Sequence, residues 1–288
     1  QGEIRRDILE GYIKHCEEGQ ATLLTDVPSL TVPFSNAHTR YHRVEQETPA
    51  HEPIRLGGWF DGETLLAPHL LVYDMGAWPG GLGASVPGGC TLVTPDPTQD
   101  LGFLEDLWRP ILERLKAQDF KGLVNADLKQ SPNTGDVSLG GCEAGWGFLQ
   151  THAFVSELEG LGEVLTGTPP RLPRRFTVTI PVSIPPWPNL DARGRAPRPV
   201  SGLTEPNLGQ FFWHDVVIDQ ESRSIRTASL DGLVGIARGT ADTHYLARVL
   251  AVERARQLQV DEKQFRVDAG ETVPQVLASL EHKFGLRL

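Results

Sequence analysis

The sequence is poor in the features that cross-link secreted domains or anchor a chain in a membrane. It has three cysteines, an odd number, and they lie far apart with no C-x-x-C pair. This usage argues against a disulfide framework and a zinc site, and it predicts reduced thiols in a cytoplasmic protein. No run approaches the roughly 18 apolar residues that can span a bilayer, and no charged-then-apolar signal opens the sequence. We therefore expect no membrane association.

Clustered basic charge and aromatic residues are scarce as well. The formal net charge is −10, the basic residues are scattered, and aromatic residues make up 7% of the 288 residues. A chain without a basic face is disfavoured as a broad nucleic-acid binder. An apolar content of 39% and a charged content of 22% are typical of a soluble globular protein. The length suffices for one large core or two ordinary ones.

Hydrophobic periodicity and turn signals predict strands and helices in two groups. Helices are predicted at 3–18, 100–118, 146–161, 241–259 and 272–283. A hairpin around the Asp61-Gly62 turn is predicted within 54–73, and further strands at 121–130, 136–140, 175–183, 211–219, 223–228 and 232–238. A Pro- and Arg-rich linker at 166–175 separates the groups. The pattern predicts an α+β fold rather than a doubly wound parallel sheet.

The densest glycine cluster follows directly on the apolar run Leu70–Val72. Four glycines fall within eight positions: Gly76, Gly80, Gly81 and Gly83. Such density indicates a backbone that needs positive φ or that approaches a ligand closely. Two interpretations stay open, a tight connection between sheet elements and a loop whose backbone amides face an anion.

This loop, with its pattern Gly-x-x-x-Gly-Gly-Leu-Gly-Ala-x-x-Pro, resembles the substrate loop of phosphoribosylamine–glycine ligases, a family of ATP-grasp enzymes. Further segments resemble pieces of that family in the same order, at 54–62, 120–128, 176–188, 198–203, 233–239 and 265–270. In one of them Asn125 and Asp127 replace a tyrosine and a glycine of the family pattern. The resemblance implies an ATP-grasp-like α+β fold with a smaller carboxy-terminal α/β subdomain and without the amino-terminal carboxylate-binding domain.

The resemblance and the linker together predict three segments. Residues 1–53 would be an amino-terminal helix and irregular segment, a remnant of the ATP subdomain. Residues 54–170 would form the ATP-grasp-like core, and residues 171–288 the carboxy-terminal subdomain. The family carries a strand with a lysine and a glycine-rich loop upstream of the matched region. Residues 1–45 of this sequence contain a single lysine, Lys14, and no glycine cluster. We therefore expect either a fragment or a chain that has lost the elements that hold ATP.

The family's functional positions carry over onto this sequence only in part. The resemblance implies a substrate-binding set made of Asp74, Gly76, Gly80, Gly81, Gly83, Arg266 and Asp268. Arg266 and Asp268 could equally form a plain ion pair at a strand end. In the segment that binds metal in the family only Glu143 keeps an oxygen ligand, and a single carboxylate makes a poor magnesium site. ATP and Mg²⁺ are the implied cofactors, and no catalytic residue is assigned.

Three functions remain open at this point. The first is an ATP-dependent carboxylate–amine ligase, joining an amino acid such as glycine to a nucleotide-like or sugar-phosphate amine, with a partner chain or missing segment completing the ATP site. The second is a catalytically silent relative that binds a ligand or scaffolds a complex. The third is an enzyme of altered chemistry that uses the loop to bind another phosphate-bearing small molecule. A metal site at His38 and His42 is disfavoured, because Thr39 and Tyr41 favour an extended stretch in place of a helix and because no HExxH motif or third ligand accompanies the pair.

Overall fold

The computed structural model describes residues 54–94, 102–130, 137–145, 147–158, 164, 168–188, 196–204, 208–219, 222, 224–228 and 231–284. The predicted amino-terminal segment, with its helix at 3–18 and its histidines His38 and His42, lies outside the described residues. Among the helices that are described, none has the length and apolarity needed to cross a bilayer.

The described residues form one eight-stranded antiparallel sheet and a separate three-stranded sheet. The strands are β1 (Ile54–Phe60), β2 (Leu65–Met75), β3 (Pro87–Val93), β4 (Gly122–Gln130), β5 (Val137–Ala144), β6 (Phe176–Ser183), β7 (Pro199–Val200), β8 (Phe211–Trp213), β9 (Val216–Ile218), β10 (Ile225–Thr227) and β11 (Leu233–Ala241). The large sheet has the order β5-β4-β1-β2-β3-β6-β11-β8, and the small one the order β7-β10-β9. β2 and β3 therefore lie in the middle of the large sheet.

The β1–β2 hairpin turns where the sequence predicts it. Asp61 Oδ1 accepts hydrogen bonds from the backbone N–H groups of Glu63 (2.8 Å) and Thr64 (2.7 Å). Gly62 has φ +103°, which a residue with a side chain rarely adopts. An aspartate that caps its own turn, followed by a glycine, thus sets the register in which Phe60 pairs with Leu65, and a bulge between Gly57 and Trp59 shifts the register toward the Ile54–Val72 pair.

Four described helices cover the two faces of the large sheet. They are α1 (Gly102–Lys116), α2 (Gln150–Glu157), α3 (His244–Gln257) and α4 (Val273–Phe284). Trp108 of α1 and Leu280 of α4 pack against alternate residues of β1, β2 and β4 on one face. Phe154 of α2 packs against the intervening residues, such as Leu71, on the other face. The period-two alternation of each strand therefore divides the core into two layers.

Helix α3 lies unusually close to β11. Its buried positions are small residues, among them Ala247, Ala251 and Ala255. A Cβ atom on Gly239 of β11 would come within 2.1 Å of the Ala247 carbonyl oxygen and 2.4 Å of the Ala251 nitrogen. The glycine is therefore required by the backbone-to-backbone approach of helix and strand.

Most predicted elements of the described region are confirmed, with the following differences. β3 and β7 were not predicted. The single strand expected at 211–219 is two strands, β8 and β9, which belong to different sheets. The helix expected at 146–161 is described only as the shorter α2, and the strand expected near 136–140 extends to Ala144. The large sheet also continues across the predicted boundary between residues 170 and 171, since β3 pairs with β6. The division into three segments stays a prediction.

We predict that Gly239→Ala lowers the free energy of unfolding by at least about 2 kcal/mol, because the new methyl group meets backbone atoms that cannot move aside. Chemical denaturation monitored by circular dichroism would measure the change. Gly209→Ala is the matched control, since a Cβ there meets no atom within 4 Å. Equal stability of the two variants would contradict the close approach of α3 to β11.

Candidate functional site

The glycine loop connects β2 to β3 and projects from the middle of the large sheet. A short ladder closes its base, in which Gly76 N–H donates to the Val86 carbonyl (3.0 Å) and Ala77 N–H to the Ala84 carbonyl (3.1 Å). The tip, residues 78–85, is exposed. All four glycines have positive φ, as their density predicts: Gly76 +96°, Gly80 +72°, Gly81 +71° and Gly83 +86°. The loop is thus both a tight connection and a stretch of exposed backbone.

Arg266 holds the base of this loop from the carboxy-terminal region of the chain. The residue is only 4% exposed. Its Nη1 donates to the carbonyl oxygens of Met75 and Gly76, the latter at 3.4 Å, and its Nε donates to Asp268 Oδ1 at 3.0 Å. A guanidinium that is so deeply buried must satisfy its donors internally. The carbonyl oxygens of Met75 and Gly76 and the Asp268 carboxylate accept hydrogen bonds from the guanidinium.

Asp268 contacts the tip of the loop. Its Oδ2 accepts a hydrogen bond of 2.8 Å from Gly80 N–H. Partial burial acts to raise the pKa of Asp268, but the hydrogen bonds from Gly80 and Arg266 outweigh it and hold the pKa below its ordinary value. The carboxylate is therefore the form that binds the loop.

Asp74 forms the third connection between β2 and the carboxy-terminal segment. The residue is fully buried, and its Oδ2 accepts a hydrogen bond of 2.8 Å from Gly270 N–H. A Cβ on Gly89 of β3 would lie 2.8 Å from both Asp74 Oδ2 and Ala269 Cβ, so only glycine leaves room for this contact. We call Asp74, the loop 76–86 and the segment 266–270 the loop cluster. It unites every predicted substrate-binding residue.

Glu143 lies elsewhere, on the opposite face of the sheet. Arg55 Nη1 donates to Glu143 Oε2 at 2.9 Å, and Arg55 Nε donates to Asp127 Oδ1 at 2.8 Å. The same guanidinium lies 5.5 Å from the centroid of the Tyr73 ring. We call Arg55, Tyr73, Asp127 and Glu143 the Arg55 cluster. Since Tyr73 and Asp74 are consecutive in β2, the two clusters lie on opposite faces of one strand.

The Arg55 cluster does not fit a magnesium ion. Mg²⁺ needs carboxylate oxygens that can bind it directly, and both carboxylates of the cluster are in ion pairs with Arg55. Within the described ranges no group of three or more His, Cys, Asp or Glu side chains is placed to hold a metal. The role of Glu143 as a metal ligand stays a prediction. The sequence reasoning missed Asp127 as its neighbour, although β4 and β5 were both predicted.

Asn125, Gln150 and His69 form a buried polar network next to the Arg55 cluster. Asn125 Nδ2 donates to Gln150 Oε1 at 2.8 Å, and Gln150 Nε2 lies 3.3 Å from His69 Nε2. Burial lowers the pKa of His69 to about 4, so the ring is neutral at pH 7. A Cβ on Gly57 would come within 2.5 Å of both Asn125 Oδ1 and His69 Nε2. The network fills the space beside Gly57 of β1, and its hydrogen bond between Asn125 and Gln150 connects the start of α2 to the sheet.

Comparison with solved structures identifies the fold. Phosphoribosylamine–glycine ligase from Thermotoga maritima matches with a TM-score of 0.56 and 18% sequence identity, over 77% of this chain and 56% of that ligase. This chain has the fold of phosphoribosylamine–glycine ligase. The predicted ATP-grasp-like α+β fold is thereby confirmed, and the fold is one that a carboxylate–amine ligase uses. The chain spans little more than half the length of that enzyme.

Two looser matches have TM-scores below 0.5. They are biotin carboxylase from Campylobacter jejuni (TM-score 0.44, 10% identity, 82% of this chain and 52% of that one) and L-amino acid ligase from Bacillus licheniformis (0.42, 12%, 73% and 54%). Comparison with protein-family models and with curated protein sequences gave no match. The likeness at 18% identity shows the fold and leaves the activity to be inferred from the site.

For Asp268→Asn we predict a loss of about 1–2 kcal/mol of unfolding free energy at pH 7, because hydrogen bonds to a carboxylate are stronger than those to an amide. The loss should depend on pH. A carboxylate whose pKa is lowered on folding stabilises the protein above its unfolded pKa of about 3.9, and this contribution disappears as pH falls through the folded pKa.

Urea denaturation of the wild type and Asp268→Asn at pH 7, 5, 4 and 3 would measure this dependence. The difference between the two proteins should be constant from pH 7 to 5 and shrink toward pH 3. A difference that does not change with pH would contradict the contact between the Asp268 carboxylate and Gly80.

For Arg55→Gln we predict a loss of about 2 kcal/mol of unfolding free energy, because two partly buried carboxylates lose their counter-charge. Asp127 and Glu143 are 13% and 18% exposed at their side chains. Lys116→Gln is the matched control. It removes an ion pair with Glu63 in which both side chains are more than half exposed, and it should change stability by less than about 0.5 kcal/mol. Thermal or chemical denaturation would compare them.

Proposed function

We propose that this chain carries the substrate-binding part of an ATP-dependent ligase that joins a carboxylate to an amine, with a phosphate-bearing amine bound at the loop cluster. The observation that supports this most strongly is the union of the glycine loop with Arg266, Asp268 and Asp74. Arg266 holds the base of the loop, Asp268 accepts a hydrogen bond from its tip, and Asp74 joins the preceding strand to Gly270. Preorganised backbone amides are a suitable environment for an anion.

The loop cluster would bind and orient the ligand rather than perform the chemistry. Gly80 and Gly81 present exposed backbone at positive φ, and Asp268 already accepts the Gly80 N–H. A phosphate would bind beside this contact or displace the carboxylate from it. Because Arg266 is buried beneath the loop, its role in the proposal is to hold the loop carbonyls, so that the ligand meets backbone N–H groups. The acid partner would be an amino acid such as glycine.

ATP and Mg²⁺ enter the proposal through elements outside the described residues. A ligase of this kind transfers the γ-phosphoryl group to a carboxylate oxygen with release of ADP, and the amine then attacks the acyl carbon and expels phosphate. The triphosphate charge must be neutralised in the first step. Since Arg55 already pairs with Asp127 and Glu143, we assign the triphosphate to a further segment or a partner chain. The cytoplasm, where ATP and reduced thiols are plentiful, is the proposed compartment.

A second candidate function is a catalytically silent relative that binds the same phosphate-bearing ligand or scaffolds a complex. The Arg55 cluster favours it, because a guanidinium takes both carboxylates that could otherwise meet a cation. The third candidate, an altered chemistry on another phosphate, uses the same loop. The ligase, the altered enzyme and the ligand-binding form of the silent relative share ligand binding at the loop cluster. The ligase consumes ATP, whereas the silent relative does not.

We predict that the chain binds a sugar phosphate such as ribose 5-phosphate and that Gly76→Ala weakens this binding at least about tenfold, which corresponds to about 1.4 kcal/mol. A Cβ on Gly76 would lie 2.5 Å from the backbone of Gly81 and would force the loop open. The matched control is Gly209→Ala, which lies outside the loop cluster and where a Cβ meets no atom within 4 Å. Isothermal titration calorimetry would measure both.

The same titrations with Mg·ATP, with and without glycine, separate the candidates. ADP release that requires both a carboxylate and an amine supports the ligase. Sugar-phosphate binding without any ATP binding or turnover supports the silent relative. If no phosphate-bearing ligand binds, or if Gly76→Ala binds as well as the wild type, the assignment of the loop cluster is wrong.

A further inference from the structure

Two histidines meet at a place that neither the loop cluster nor the Arg55 cluster includes. His152 belongs to α2, and His214 directly follows β8. Their Nε2 atoms lie 3.2 Å apart, within hydrogen-bond distance, so that one ring donates its N–H to the other and a metal ion would take the place of that proton. The ring centroids are 5.2 Å apart and the ring planes are inclined by 55°. Two histidines that are 62 positions apart in the sequence thus face each other through their Nε2 atoms.

Phenylalanine rings surround this histidine pair. Phe212 lies edge-on to His152 with centroids 4.9 Å apart, and Phe148 approaches the rings of His152 (5.9 Å) and His214 (6.3 Å). These apolar contacts restrict the imidazole rings. His214 is nevertheless exposed, so the pair is open to solvent on one side. A polar pair between apolar rings with one open side is accessible to a small ion.

The separation of the two nitrogens is close to that of two ligands on one metal ion. Zinc binds imidazole nitrogen at roughly 2.0–2.1 Å in tetrahedral geometry, which places two such nitrogens roughly 3.3 Å apart. We propose that His152 and His214 bind one Zn²⁺, or a similar divalent transition-metal ion, through their Nε2 atoms, with water completing the coordination. Small rotations of the rings would direct both lone pairs to one point while the nitrogens keep their separation.

The surroundings define what kind of metal site this is. Over the described part of the chain no third His, Cys, Asp or Glu joins the pair. His152 Nδ1 is buried, and it has no hydrogen-bond partner among the described residues, so the ring lacks the acceptor that usually orients a ligating histidine. Two neutral imidazoles select zinc, nickel and copper over magnesium. We therefore infer an open site that exchanges its metal and excludes Mg²⁺.

The test is calorimetric titration of the full chain, dialysed against chelator, with ZnCl₂ at about pH 7.5, where an imidazole of ordinary pKa near 6.5 is mostly neutral. The wild type should bind Zn²⁺ at a site that excess Mg²⁺ does not occupy. His152→Gln and His214→Gln should each weaken that site about tenfold or more, and Zn²⁺ should raise the melting temperature of the wild type more than that of either variant.

His282→Gln is the matched control, because His282 is an exposed histidine on α4. Its zinc binding should equal that of the wild type. If His152→Gln does not fold, as circular dichroism would show, the exposed His214→Gln decides the question. Zinc binding of the double variant His152→Gln/His214→Gln with the affinity and stoichiometry of the wild type would overturn the proposal and place the binding on other histidines.

Discussion

The buried charge of Arg266 is the constraint on which the candidate site depends. A guanidinium removed from water costs several kcal/mol unless carbonyl and carboxylate oxygens replace the water, so its partners must be held in place. Those partners include the carbonyls of Met75 and Gly76, about 190 positions away in the sequence. One residue therefore ties the end of a central strand to the carboxy-terminal segment. A Cβ on Gly88 would lie 2.2 Å from Gly76 O and 2.9 Å from Arg266 Cδ, so only glycine fits near the start of the following strand.

A second arginine, Arg55, lies on the other face of the sheet, where it is the counter-charge of two carboxylates. There the charge to be balanced is negative, since Asp127 of β4 lies opposite Arg55, and Glu143 of β5, which pairs with Asn125, also reaches the guanidinium. The guanidinium spans both carboxylates, and the Tyr73 ring lies within cation–π range of it. One positive charge thus balances part of the charge of two carboxylates, and both carboxylates are engaged in ion pairs. The two faces of β2 thus differ: on one face Asp74 joins the carboxy-terminal segment, and on the other Tyr73 lies beside the ion pairs of the Arg55 cluster.

The sequence predicts much of the described fold and part of the site. The hairpin at Asp61-Gly62, α3 and α4 follow from local turn chemistry and periodicity, and these signals act within a few residues. β3 was missed because its opening Pro87-Gly88-Gly89 is typical of a turn. In the structure these glycines belong to β3, which pairs with β2, with Asp74 opposite Gly89. A side chain at Gly88 would meet Gly76 and Arg266, and one at Gly89 would meet Asp74 and Ala269. Asp127 was missed because its partner, Arg55, lies in the neighbouring strand β1.

Most of the described helices and strands, the positive φ of the glycine loop and the order of motifs that resemble phosphoribosylamine–glycine ligases follow from the amino-acid sequence alone. These features depend on local backbone preference and on short spacing. Only the tertiary structure decided that Arg266 is buried beneath the loop, that Glu143 pairs with Arg55 and that His152 meets His214. Each of these contacts joins residues between 62 and 191 positions apart. Strand register and helix docking decide such contacts, because they select which of many polar side chains face one another.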